Sequence, residues 1–344
     1  SLAMNTSLTE FKHSVQIKLL DLLWSQWIAL GIPGSGDREM DKIIDPEALL
    51  LLTLTVARFD PRLFDLVLDW LKVNGAYLNI QRLQNLVDKS GFESGPQLSA
   101  IAEMLSQKSP ASQKWKKLAF RYSAENPSAL FFQNNGVPWP TTTELDPIFL
   151  KHGLFRSPVN NRKLSQPFPP VGLPSLLLRL RALLGVTIRC EILCMLGSVE
   201  EIHPSGIANF INQSPRTIQK TLADMAKSGI VRVRTKSREK IYSLAPGYLD
   251  GLLCPAGITS WENSVPLYRA LEILWLEIWN PINDELDNLT LGSQFCRLAE
   301  KMEPLLGDAG FGKTIHTDMP HRKDLFFPGF MEDVDSLLDK INRY

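Results

Sequence analysis

The side chains best suited to reading a charged polymer are gathered between Ser214 and Lys240. Arg216, Thr217, Gln219 and Lys220 stand within five consecutive residues, and Lys227, Arg234, Lys236, Arg238 and Lys240 follow. A guanidinium can bridge O6 and N7 of guanine, and a carboxamide can bridge N6 and N7 of adenine. Lysine and hydroxyl side chains suit phosphates and flanking base edges. The whole chain hides this concentration, since 37 basic residues balance 37 acidic ones over 344 residues. Between His203 and Ala245, however, eight basic residues face only Asp224 and Glu239, a local excess of six positive charges. From Asp250 to Asp308 the sense reverses, with ten carboxylates against Arg269, Arg297 and Lys301. That asymmetry predicts one module that meets a polyanion and a neighbour that does not. It also suggests that the acidic region after Asp250 docks on the basic module and masks it.

Other residues with chemical potential are better explained without a reaction. Cys190 and Cys194 lie four apart, a spacing that puts two thiols on one helix face. Their neighbours Ile188, Ile192, Leu193 and Leu196 mark that face as core, so no metal is assigned. The run His316 to Asp324 holds two imidazoles and two carboxylates without a ligand spacing and reads as a polar loop. Gly307 to Thr314 fits the spacing of a phosphate-binding loop, but a helical segment leads into it where that loop needs a strand. Gly34-Ser35-Gly36-Asp37 lacks both the strand and the lysine. No nucleophile with its base, nor any carboxylate pair, can be located, so no catalytic residue and no cofactor are assigned and the chain is read as a non-enzyme.

The elements that position the basic residues follow from periodicity. An apolar helix runs from Ser175 to Leu196 and stops at Gly197, and a short second helix starts near Pro204 with Ile207, Ala208 and Ile211 on one face. Ser214 is a good N-cap with Pro215 at the first helical position, and Lys227-Ser228-Gly229 supplies a basic last turn and a stop, predicting a third helix over Pro215 to Lys227. On that helix Ile218, Leu222 and Met225 fall within about 60° of one another and must face inward. Arg216, Lys220 and Lys227 then lie opposite, with Gln219 and Thr217 on the flanks. After Gly229, residues 230–234 alternate apolar and basic, 235–238 can turn, and 240–244 alternate again, as a hairpin should.

Three helices and a basic hairpin, carried by Pro204-Ser205-Gly206-Ile207-Ala208, by Ser214 to Leu222 and by Met225 to Val231, resemble the winged helix-turn-helix domain of the ArsR and MarR repressors of bacteria. The match covers about 70 residues of the chain. The resemblance implies that the third helix enters the major groove of double-stranded DNA and that the hairpin, or wing, touches the backbone or adjacent minor groove. It also implies a homodimer. Arg216, Thr217, Gln219 and Lys220 would then face base edges or nearby phosphates, with Lys236, Arg238 and Lys240 on the backbone.

The rest of the chain predicts a mainly α protein in four parts. Residues 1–156 form a helical N-terminal domain, with Asp45-Pro46 and Asp60-Pro61 each opening a helix. Residues 157–174, rich in proline, form a linker. Residues 175–245 are the winged module, and residues 246–344 a helical C-terminal region. The longest apolar stretch, Ala48 to Ala57, is too short to cross a bilayer, and the N-terminus has neither the basic start nor the apolar core of a signal peptide, so a cytoplasmic protein is expected. Four cysteines in so long a chain do not make a disulfide framework. The expected function is sequence-specific DNA binding in transcriptional control. The alternative is an antitoxin-type subunit whose helical N- or C-terminal region binds a protein partner.

Overall fold

Aspartate-proline pairs set helix starts along the first half of the chain. The Asp45 carboxylate accepts from the Ala48 amide at 3.0 Å, and Asp60 accepts from Arg62 and Leu63. A third pair, Asp146-Pro147, uses the same device, with Asp146 accepting from Ile148 and Phe149. Each carboxylate satisfies amides that the helix itself leaves free and complements the positive helix end. The computed structural model describes residues 2–35, 40–107, 110–140, 144–160, 164–247, 261–318 and 325–343. These form fourteen α-helices and two small two-stranded sheets, a mainly α protein. No described helix is long and apolar enough to cross a membrane.

The N-terminal helices are α1 (Leu2–Ala29), α2 (Pro46–Val56), α3 (Pro61–Asn74), α4 (Ile80–Ser90), α5 (Gly95–Ser106), α6 (Lys116–Ala119) and α7 (Pro147–Lys151). Next come α8 (Leu176–Leu184), α9 (Ile188–Ser198), α10 (Pro204–Phe210) and α11 (Pro215–Lys227). The chain ends with α12 (Ser264–Ile278), α13 (Asn288–Asp308) and α14 (Phe326–Arg343). Strands β1 (Ser128–Ala129) and β2 (Leu154–Phe155) pair in parallel, and β3 (Val231–Lys236) and β4 (Glu239–Leu244) form an antiparallel hairpin.

Two cores organise these elements. The larger takes residues from both ends of the chain, so the regions read separately as 1–156 and 246–344 pack as one body. Phe11 of α1 meets Phe327 and Phe330 of α14 edge-on, at 5.8 and 6.2 Å between ring centroids. The Trp275 ring of α12 lies 5.0 Å from that of Phe59. An amphipathic pattern announces that a face must be covered but not by which segment, and the partners of these aromatic pairs lie far apart in the chain. The smaller core joins α8 to α11, the β3–β4 hairpin, Ile43 and Trp261.

Two sequence expectations are revised. The single helix expected over Ser175 to Leu196 is broken. Gly185 adopts φ 80° and ends α8, and α9 restarts after Thr187. Positive φ with an extended ψ of 167° takes the chain out of the helix, a conformation that glycine adopts without strain. The break leaves Leu183 and Leu184 exposed at the end of α8. The proline-rich stretch 157–174 does not hang free, since its described part straps onto the body. The Asn74 amide donates to the Gln166 carbonyl and accepts from the Phe168 amide, and the Phe168 ring meets Tyr77 edge-on.

The two cores are fastened by a buried ionic cluster. Arg181 of α8, fully buried, makes a two-pronged contact with Glu47 of α2 (2.7 and 3.1 Å) and donates to Glu191 of α9 (2.8 Å) and to the Tyr77 carbonyl. Arg82 of α4 contacts Glu47 at 2.9 Å and grips both oxygens of Asp45. Burial opposes the charge of Asp45, but Arg82, the Ala48 amide and Arg181 outweigh it and hold the carboxyl below its ordinary range. Arg181→Met leaves Glu47 and Glu191 buried and short of a counter-charge, and is expected to cost about 3–5 kcal/mol in urea unfolding. Because the folded Asp45 titrates below its unfolded value, its stabilisation is complete above pH 4 and fades below it. The urea midpoint should therefore fall between pH 4 and pH 3, and fall less steeply in Asp45→Asn.

Candidate nucleic-acid interface

Ser214 closes the start of α11 as its sequence predicts. Its hydroxyl accepts from the Thr217 amide at 3.2 Å and shares a hydrogen bond of 2.7 Å with the Thr217 hydroxyl. Both side chains are exposed, yet both are engaged in the cap. The turn from α10 passes through Asn212 at φ 55°, a left-handed position that asparagine tolerates, and the Gln213 amide returns to the Ala208 carbonyl at 2.9 Å. Ile218, Leu222 and Met225 are buried against Ile207, Ala208 and Ile211. That packing turns the opposite face of α11 outward, and Arg216, Gln219, Lys220 and Lys227 are all exposed on it. Lys227 pairs with Asp224 at 3.1 Å, whereas Arg216, Gln219 and Lys220 have no side-chain partner among the described residues.

The hairpin carries the second group. Its register pairs Lys236 with Glu239, leaving only Ser237 and Arg238 in the turn, at φ 49° and 74°. Two left-handed residues make a type I′ turn, whose twist matches that of the strands. The turn is thus shorter than the 235–238 segment expected. A glycine or asparagine would have flagged it, and neither is present. Alternation along the strands puts Val231, Val233, Thr235, Lys240, Tyr242 and Leu244 on one face and Arg232, Arg234, Lys236, Glu239, Ile241 and Ser243 on the other. Buried Val231 and Tyr242 mark the first face as the one packed on the helices. Arg234, Lys236, Arg238 and Lys240 are all exposed.

Two neighbours were not anticipated. Ile202, just before α10, exchanges both backbone hydrogen bonds with Tyr242, which adds a third position to the sheet and, among the described residues, leaves β3 at its edge. Glu201, the residue before it, pairs with Arg234 and lies 3.9 Å from Lys236. Arg232, exposed and without a side-chain partner among the described residues, belongs to the same outer face. The alternation of β3 could have flagged Arg232. A single bridging residue is too short to leave a pattern, so Glu201 had no signal. Residues 248–260 lie outside the described set, and with them Asp250 and Cys254. Among the described residues the carboxylate that meets the hairpin's cations is Glu201, not one from the acidic region beyond it.

No family model, curated protein or solved structure matches this chain.

Among the described residues no hydrogen bond or ion pair runs from the body to α11, β3 or β4. The nearest tethers are Asn212 to Ser90 at 3.1 Å and the Phe210 ring on Trp261 at 4.9 Å, beside a groove of about 610 Å³. The other candidates resolve as packing or turns. Cys190 and Cys194 are buried, and burial pushes both thiols up, which suits small core residues. Gly307 and Asp308 end α13, so the loop-like spacing after it starts from a helix. His316 Nδ1 donates to the Asp333 carboxylate, 2.8 Å away, which raises the imidazole pKa, while Gly36, Asp37, His321 and Asp324 lie outside the described residues. No group of three metal-ligating side chains is present among those described.

Ser214→Ala removes the cap and should cost about 1 kcal/mol. Hydrogen exchange at the Thr217 amide should accelerate, with exchange in α1 and α14 unchanged. Equal exchange at Thr217 in both proteins is the result that contradicts the cap.

Proposed function

We propose that residues 188–245 form a winged helix-turn-helix that binds double-stranded DNA, and that the protein is a transcriptional regulator. The observation that carries this reading is a set of exposed donors without partners among the described residues on two neighbouring elements, α11 and the β3–β4 hairpin. Arg216, Gln219 and Lys220 project from an exposed helix face, and Arg238 and Lys240 from the tip of a hairpin next to it. The order of elements supports it too: a helix, a bridging residue, two helices and a hairpin whose inner strand pairs with that bridge.

In this reading α11 lies in the major groove. Arg216 and Gln219 supply the bidentate donors and acceptors that distinguish guanine and adenine, and Lys220 sits on phosphate. Ser214 and Thr217 fix the first turn of the helix and so the angle at which it enters. Arg238 and Lys240 extend the contact along the backbone. A second copy of the chain, reading a second half-site, would double the sequence length read and add its contacts to the binding free energy, so that affinity is multiplied. The body carries the compensating negative charge and keeps the remaining surface from adhering to the same polymer.

The test is fluorescence anisotropy of the full chain on a random-sequence duplex across a salt series. The wild type should bind with a steep negative dependence on salt. Arg216→Ala/Lys220→Ala should flatten the logarithmic slope by about 0.9, for the phosphate that Lys220 neutralises, and Arg238→Ala should flatten it by about 0.9 as well. No binding by the wild type at low salt refutes the reading, and a pull-down for a protein partner is then the next experiment.

A further inference from the structure

We propose that Glu201 is an internal stand-in for a DNA phosphate: its carboxylate occupies Arg234 and Lys236 of the hairpin and is exchanged for the backbone when the protein binds. The proposal rests on the DNA-binding reading above and names the residue that sets how strongly the wing contributes to it. Three observations carry it. First, Glu201 is placed by the fold and not by chance flexibility, because its neighbour Ile202 is locked to Tyr242 by two backbone hydrogen bonds of 2.9 Å. Alternation then turns Glu201 to the face that carries Arg232, Arg234 and Lys236. Second, one carboxylate meets two cations, Arg234 in direct contact and Lys236 at 3.9 Å. Third, all three side chains are partly exposed, at 34% for Glu201, 62% for Arg234 and 67% for Lys236. An ion pair so open to water holds weakly and is readily traded for another anion.

The chemistry of the exchange is symmetrical. A carboxylate and a phosphate both offer two oxygens to a guanidinium fork, so Arg234 keeps its geometry while changing its acceptor. Without DNA, Glu201 neutralises part of the outer face of the wing. With DNA it must be displaced, and its charge then faces a phosphate and opposes binding. The wing cations therefore fall into two classes. Arg238 and Lys240 carry no counter-charge among the described residues and are available at once. Arg234 and Lys236 are available only against the competition of Glu201. Such competition lowers affinity for every sequence by a similar factor. It leaves the base-reading side chains of α11 untouched, and so raises the share of binding that depends on sequence.

The experiment compares wild type, Glu201→Gln and Glu201→Gln/Arg234→Ala/Lys236→Ala, each as the full chain, on the random-sequence duplex from about 0.05 to 0.3 M salt. Glu201→Gln keeps the size and hydrogen-bonding capacity of the side chain, and circular dichroism melting should show the fold intact. The expected result is binding about 3- to 10-fold tighter than wild type near 0.1 M salt. The logarithmic salt slope should steepen by about 0.9, for the one negative charge no longer set against the phosphates, and both gains should be absent in the triple variant. Equal affinity and slope in wild type and Glu201→Gln overturn the proposal, as does weaker binding by Glu201→Gln, or a gain that survives in the triple variant. Absence of binding by both wild type and Glu201→Gln overturns the DNA-binding reading and this proposal with it.

Discussion

Arg181 has no access to water, and its charge must be met entirely by protein. Glu47 and Glu191 meet it from two different parts of the chain, and Arg82 and Asp45 complete the cluster. A buried guanidinium is tolerated only where the geometry is nearly complete, so each of these side chains constrains the other four. The Nε atoms of Arg82 and Arg181 and one oxygen of Glu191 still lack partners, a sign that this cluster was not assembled for maximum stability. What it does is set register. Leucines on α8 and α9 could slide against the body at small cost, but sliding Arg181 by one residue would strand three buried charges. The orientation of the smaller core on the larger one descends from this constraint.

From that fastening the rest of the module follows by packing. α9 is held through Glu191 and packs on β4, β4 meets α10, and α10 packs on α11, with Cys190, Cys194 and Ile207 in the core they share. Among the described residues, the outer face of α11 and the edge strand β3 receive no hydrogen bond or ion pair from the body. The clamp therefore determines where the basic surface points without covering it. The weaker tethers at Asn212 and Phe210 lie at the α10–α11 turn, where the module meets α4 and Trp261.

How much of this could be read beforehand depends on the range of the interaction concerned. The cap at Ser214, the stripe of Ile218, Leu222 and Met225 and the alternation of β3 are decided within a few residues, and the sequence states them openly. So are the Asp-Pro helix starts at Asp45 and Asp60. The break at Gly185 is also local, but the apolar residues on either side of it outweighed one glycine in a periodicity argument. Two features had no local trace at all. Arg181 and Glu47 are separated by 134 positions, and a charged residue inside an apolar helix reads equally well as a surface stripe. Glu201 and Arg234 are 33 apart and joined through a sheet position only one residue long. Long-range partners of charges are what pattern reading leaves out, and both surprises here are of that kind.

The edge position of β3 has a consequence for the behaviour of the protein among copies of itself. A strand with one side unpaired is a template on which another strand can grow, and open edges of this kind are where sheet proteins begin to aggregate. Along β3 the chain places Arg232, Arg234 and Lys236 in alternation. Two such edges brought together would set three cations of one molecule beside three of the next, with one Glu201 apiece to relieve them. Whatever else these residues contact, they make the hairpin a poor seed for its own polymer.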